Sequence, residues 1–167
     1  MRSGPYEIER KFLICYPDPK LLASAAERSE IVQTYLLGEK GSTERVRMRT
    51  FADHCEYSHT VKRRISDMRR VEEEREITRE EYERLLSQAD PACRTIRKTR
   101  YCLPYEGKML EIDVFPFWDD RAYLEVELQE EGESVALPES VHVIRELTGD
   151  RRYTNAALAR EIPFEEI

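Results

Sequence analysis

The chain has 167 residues, 40% of them apolar and 37% charged, with only 6 glycines and 8 prolines. Such a length and apolar content suit one domain with a real core, spanning residues 1–167, and speak against disorder despite the excess of charge. A formal net charge of -7 argues against a general nucleic-acid binder and against docking on an anionic membrane, so a polyanion would have to bind in a local basic pocket.

Cysteines 15, 55, 93 and 102 form no C-x-x-C pair, and histidines 54, 59 and 142 supply no zinc-like spacing beside them. Reduced, structural thiols are expected. Glu7, Glu9, Arg10 and Lys11 interrupt the N-terminal segment, and nothing later approaches the roughly 18 apolar residues of a membrane span. The expected location is the cytoplasm, without nucleic-acid or membrane partners, as a monomer or homodimer.

Period-two alternation dominates the chain. Tyr6 to Ile14 sets Glu7, Glu9 and Lys11 on one strand face and Ile8, Arg10, Phe12 and Ile14 on the other. Pro17-Asp18-Pro19 opens a helix expected to run to about Arg28, with Leu21, Leu22, Ala25 and Ala26 as its apolar stripe, and a strand follows at Ile31 to Leu37. After a turn at 39–42, Arg45, Arg47 and Arg49 share one face of a strand that pairs with Glu56 to Arg64 as a hairpin. Arg63-Arg64 and Arg69-Arg70 are expected on a solvated hairpin.

Val71 to Ile77 alternates again, with Glu72, Glu74 and Glu76 on one face, before Thr78-Arg79-Glu80-Glu81 caps a helix ending near Asp90-Pro91. Strands at Thr95 to Leu103 and Met109 to Phe115 flank the turn Tyr105-Glu106-Gly107-Lys108, and Ala122 to Gln129 forms another. Trp118 and its neighbouring phenylalanines read as a core plug, and His59 as a structural residue. From about 137 the spacing of Val141, Ile144 and Leu147 predicts helix, with a further short helix after Thr154.

One charged strand face is ordinarily a solvated face. Here seven strands repeat the pattern, and the charges segregate at i, i+2 into cationic sets (Arg45/Arg47/Arg49, Lys98/Arg100) and carboxylate sets (Glu72/Glu74/Glu76, Glu111/Asp113, Glu125/Glu127). Guanidinium forks and ammonium groups bind phosphate oxygens, whereas carboxylates are useful beside a polyphosphate only where they hold hard divalent cations. Both signs in one cavity therefore indicate a metal–polyphosphate site. A closed antiparallel barrel, with charged faces inward and the faces Ile8/Phe12, Val46/Met48, Ile112/Val114 and Leu124/Val126/Leu128 outward under helices, satisfies the pattern.

Glu7-Ile8-Glu9-Arg10-Lys11 resembles the ExExK signature that opens CYTH domains. In the same order follow Arg47-Met48-Arg49, Thr60-Val61-Lys62, Glu74-Arg75-Glu76-Ile77, Lys98-Thr99-Arg100-Tyr101, Glu111-Ile112-Asp113-Val114-Phe115 and Glu125-Val126-Glu127, which resemble that family's successive strand motifs over residues 6 to about 130. The resemblance implies an α+β, mainly β fold: a closed antiparallel eight-stranded barrel, the triphosphate tunnel, with helices outside and a helical part at about 137–167. It implies triphosphate hydrolysis with Mg2+ or Mn2+. Residue by residue, it implies phosphate ligands at Lys11, Arg47, Arg49, Lys62, Lys98 and Arg100, and metal carboxylates at Glu7, Glu9, Glu125 and Glu127, joined by Asp113, Glu74 and Glu76. Lys11, Lys62 and Tyr35 are the implied catalytic residues. Inorganic tripolyphosphate is the leading substrate; nucleoside or thiamine triphosphate, adenylyl cyclase chemistry of class IV type and non-catalytic polyphosphate binding are the alternatives.

Overall fold

The computed structural model describes residues 6–66 and 69–167, with side chains from residue 8 onward. Its strands are β1 (Tyr6–Cys15), β2 (Glu27–Tyr35), β3 (Ser42–Thr50), β4 (Cys55–Arg64), β5 (Arg69–Glu76), β6 (Ile96–Tyr105), β7 (Lys108–Val114), β8 (Arg121–Leu128) and β9 (Val143–Glu146). Helices α1 (Pro19–Ala23), α2 (Arg79–Leu85) and α3 (Asn155–Arg160) are short. The antiparallel sheet runs β5-β4-β3-β2-β6-β7-β8-β1-β9, and β5 pairs in addition with β1 through Tyr6↔Val71, Glu7↔Arg70 and Ile8↔Arg69. That pairing closes the first eight strands into a barrel, which leaves one face of each strand inside and removes the free edges.

Local chemistry explains the corners. Glu106 (φ 48°) and Gly107 (φ 77°) sit between the paired residues Tyr105 and Lys108, the two positive φ values that a tight β6–β7 hairpin needs to match strand twist. The Thr78 side chain accepts from the Glu81 amide at 3.1 Å to start α2. Asp18 does the same for α1 through the Lys20 amide, but that helix ends at Ala23 rather than near Arg28. The cause is competition for the backbone: the Ala26 amide already donates to the Cys102 carbonyl at 2.9 Å, and the β2–β6 ladder takes over from Glu27.

The C-terminal part also differs from the helix expected at 141–147. Residues Val143–Glu146 form β9, antiparallel to β1. β1 pairs with β8 from Ile8 to Cys15, yet with β5 only from Tyr6 to Ile8. Its other edge would be open at Phe12–Ile14, and β9 fills it, with a register shift between Leu13 and Ile14. That irregularity lets Ile144 in the strand and Leu147 just past its end, three residues apart, pack into the same apolar cluster.

Three apolar clusters hold the barrel. Phe12, Ile112, Leu124, Val126 and Leu128 face outward under Leu21 and Leu22 of α1 and under Val135, Leu137 and Val141. Val46, with Met48 beside it, packs beneath Tyr82 of α2. The third cluster lies on the inner faces: Leu13, Tyr35, Ile96, Phe115 and Tyr123, each two residues beyond a polar lumen position, meet Leu158 and Ala159 of α3 together with Trp118 and Tyr153. The charged lumen therefore gives way to an apolar plug, which includes Trp118 as expected (3% exposed). Leu158 is fully buried in this plug, so Leu158→Ala should cost about 2–5 kcal/mol in urea denaturation. A loss below about 0.5 kcal/mol would mean that α3 is not packed into the barrel end.

Candidate active site

The barrel encloses a cavity of about 940 Å³. Side-chain alternation delivers its lining: β1 supplies Glu9 and Lys11, β3 supplies Arg45, Arg47 and Arg49, β6 supplies Lys98 and Arg100, and β8 supplies Glu125 and Glu127. Tyr35, Lys62 and Glu74 also line it. The structure thus brings together most of the residues singled out from the sequence. Glu76 is exposed and lies outside this lining, Asp113 sits beneath it, and the side chain of Glu7 lies outside the described residues.

Charge is distributed by wall. On β1 and β8, Glu9 faces Glu127 and Lys11 faces Glu125 as Cα partners, with Lys11 Nζ 3.6 Å from Glu125 Oε1 and 4.1 Å from the centre of the Tyr123 ring. Burial alone would raise the Glu125 carboxyl, but Lys11, aided by Arg100 and Lys98, outweighs it and holds Glu125 down at about 2. Across the lumen, Arg47 donates to Gln33 Oε1 at 3.2 and 2.9 Å, and Arg49 donates to Ser29 Oγ at 2.8 Å and to Glu27 at 3.3 Å. Burial, and then the neighbouring Arg45 and Arg100 charges, pushes Arg47 below the usual guanidinium value.

Asp113 has a different place from the metal ligand implied by the resemblance. It is 1% exposed, receives the Arg100 fork at 2.8 and 2.9 Å, and lies 2.7 Å from Lys98 Nζ. Burial alone would raise it, but Arg100 and Lys98 hold the carboxyl well below the usual range. Burial also pushes Lys98 well below the ordinary lysine value, against the pull of Asp113. Asp113 therefore anchors two cations that line the lumen. Glu111 lines the lumen next to Arg100, 3.4 Å away.

Several lining groups escaped the sequence reading. Arg64 and Arg70, expected on a solvated hairpin, turn inward: Arg64 donates to the Gly149 carbonyl at 2.8 Å and Arg70 lies 3.5 Å from Glu9. The C-terminal turn closes over the lysines, since Lys11 Nζ donates to the Tyr153 carbonyl at 2.8 Å and Lys98 Nζ to Asn155 Oδ1 at 3.3 Å. Arg64 and Arg70 share strand faces with Lys62 and Glu72, so alternation is consistent with their turning inward, whereas the contacts of the C-terminal turn have no signal in the alternation of the strands. His59 bonds Glu44 Oε2 at 2.8 Å, a structural role as expected.

Among the described residues, no three carboxylate, histidine or cysteine side chains converge on one coordination sphere. The donor chemistry nevertheless fits a hard cation: Glu9 and Glu127 are opposed carboxylates on adjacent strands, and Mg2+ commonly takes only one or two protein carboxylates, with water and phosphate oxygens completing its shell.

Removing the Asp113 charge would strand two buried cations, so Asp113→Asn should destabilise the protein by about 3–5 kcal/mol at neutral pH. Because the folded-state pKa is depressed, this contribution is complete above the ordinary aspartate value of about 3.9 and fades only as pH falls below it. Urea melts of wild type and variant from pH 7 to pH 3 should show a constant gap that narrows at the acid end; a gap that widens there would contradict the assignment.

A CYTH domain model matches residues 5–153. An inorganic triphosphatase of Nitrosomonas europaea is 34% identical over 161 residues, covering 94% of this chain and 99% of that protein. The crystal structure of the inorganic triphosphatase NE1496 superposes with a TM-score of 0.60 at 30% identity, over 94% of this chain and 96% of that one. A Hippeastrum protein described as a putative adenylyl cyclase with a dominant triphosphatase activity shares the fold, with a TM-score of 0.52 at 16% identity over 74% of this chain and 80% of that one. With its motifs on successive lumen faces and the match extending over nearly its whole length, the chain belongs to the CYTH domain family.

Proposed function

We propose that this protein hydrolyses inorganic tripolyphosphate to diphosphate and phosphate with Mg2+ or Mn2+. The observation that carries the reading is the opposition of the two lumen walls: carboxylates Glu9, Glu125 and Glu127 on β1 and β8 face guanidinium groups of Arg45, Arg47 and Arg49 on β3. Cations alone would suit any polyanion, and carboxylates alone would repel one. The likeness to an inorganic triphosphatase over almost the full length of both chains supports the same conclusion.

In this reading Arg47, Arg49, Lys62 and Arg100 clamp phosphate oxygens, with Lys11 and Lys98 as point charges. Glu7, Glu9, Glu125 and Glu127 would hold the divalent cations, with Glu74 as a further oxygen ligand. Held there, a divalent cation would supply charge neutralisation at phosphate oxygens and a more acidic bound water. Asp113 keeps Arg100 and Lys98 aimed into the lumen. Tyr35, whose phenol burial pushes upward, stays protonated at neutral pH and accepts from Gln33 Nε2 at 3.2 Å; it is suited to donate to a leaving oxygen. Lys62 lies 3.9 Å from Glu72, and Lys98, with its proton loosened by burial, is a second lysine able to take part in proton transfer. Most of the catalytic effect is then positioning and charge stabilisation.

No helix among the described residues is long and apolar enough to cross a membrane. The four free cysteines suit a reducing compartment, which supports a cytoplasmic location.

Phosphate release should be measured on tripolyphosphate, ATP and thiamine triphosphate with Mg2+, with Mn2+ and with EDTA. Tripolyphosphate should be the best substrate, EDTA should abolish turnover, and Glu125→Gln or Glu127→Gln should reduce it at least about a hundredfold, because an amide is a poorer ligand for a hard cation. Undiminished turnover in EDTA, or a strong preference for a nucleotide or thiamine compound, would overturn the reading.

A further inference from the structure

Arg45 stands apart among the cations of the lumen. It lies on β3, two residues before Arg47 on the same face, is 7% exposed and lines the cavity. The neighbouring cations have compensation: Arg49 has Glu27, Arg100 and Lys98 have Asp113, and Lys11 has Glu125. Arg45 has no carboxylate within ion-pair distance among the described residues, and its Nε is buried with no hydrogen-bond partner. Its Cα partners are Tyr35 on β2 and Thr60 on β4, both neutral, and Tyr35 belongs to the apolar plug. Next to it, Arg47 rests on the neutral Gln33.

Two buried guanidinium groups side by side, with no carboxylate among the described residues in ion-pair contact and only Glu74 acting on Arg47 from further off, oppose folding through desolvation and like-charge repulsion. A fold retains such a pair where a ligand supplies the missing anion. The carboxylates of β1 and β8 lie on the other side of the barrel, and Glu74 on β5, two strands from Arg45, makes no ion pair with either guanidinium and instead accepts from Thr60 Oγ1 at 3.0 Å, so this pair is left short of negative charge.

We propose that Arg45 is a phosphate-binding residue beyond those of the strand motifs, and that with Arg47 it holds the phosphoryl group lying nearest the apolar plug. The substrate is thereby oriented, with one end on the β3 wall beside Tyr35 and its remaining oxygens toward the acidic wall. This assignment rests on the tripolyphosphate reading given above.

Calorimetric titration of tripolyphosphate with Mg2+ into wild type, Arg45→Gln and Arg45→Lys separates the two. Loss of a charge-assisted contact should weaken binding at least about tenfold in Arg45→Gln. Arg45→Lys should fall between, since it keeps the charge and loses the fork. The ligand-free Arg45→Gln protein should melt at or above the wild-type temperature, because an uncompensated charge has gone, whereas its upward shift on adding ligand should shrink. A structural arginine would give the opposite: a lower melting temperature without ligand and an unchanged dissociation constant. Equal dissociation constants in wild type and both variants would overturn the role of Arg45 and leave the hydrolase reading standing. Wild type that binds without releasing phosphate would overturn the hydrolase reading and leave the Arg45 comparison valid; wild type that does neither overturns both.

Discussion

Enclosing charge within a barrel of this size is costly unless each charge meets its opposite, and that constraint organises the whole lumen. Asp113 illustrates it, compensating Arg100 and Lys98 at once from a position sealed from solvent. Lys11 and Glu125 compensate one another across the β1–β8 ladder. Where compensation is weakest, on the β3 wall at Arg45 and Arg47, no carboxylate among the described residues comes into ion-pair contact. The same principle accounts for the C-terminal turn, whose Tyr153 carbonyl and Asn155 side chain add neutral acceptors to Lys11 and Lys98, each already beside a carboxylate.

Much of this arrangement could be read from alternation alone. Because side chains on a strand point alternately to two faces, Glu9 with Lys11, Arg47 with Arg49 and Glu125 with Glu127 had to share faces, and a repeated segregation of charge over seven strands had no plausible surface use. The apolar faces, such as Ile112 with Val114, identified the outer side equally well. Alternation also puts Arg64 on the face of Lys62 and Arg70 on that of Glu72, against the solvated hairpin expected there. What alternation does not encode is the stagger between strands, which leaves Glu76 outside the cavity lining although it shares a face with Glu74. Nor does it encode competition between elements: the β2–β6 ladder shortens α1, and the spacing of Ile144 and Leu147 imitates a helix because the register of β9 on β1 is irregular, while Val141, ahead of β9, packs into a different cluster. The depth of Asp113 is hidden for a related reason, since its sequence motif shows a carboxylate beside cations but not how far below the lumen surface it lies.

The bipolar lumen also explains how an acidic protein can serve a polyanionic substrate. The net charge of -7 repels such a molecule at long range, but screening limits this to about 8–10 Å at moderate ionic strength, whereas the guanidinium groups act at contact inside walls of low dielectric. Recognition is therefore local, and in the proposed reaction the carboxylates that add to the net charge would bring in the accompanying cation.

β9 carries a consequence for how the molecule assembles. Lys11 shares backbone bonds with Leu147 and side-chain bonds with Thr148 and Tyr153, partners more than 130 positions away along the chain. Contacts of such long range delay folding, because the loop between them must close before any stabilisation is gained. Until β9 and α3 arrive, β1 presents an open edge at Phe12–Ile14 and the plug lacks Leu158 and Ala159. A nascent barrel in that state is a template for strand exchange with another copy, so the short C-terminal strand guards solubility during synthesis as much as it shapes the finished cavity.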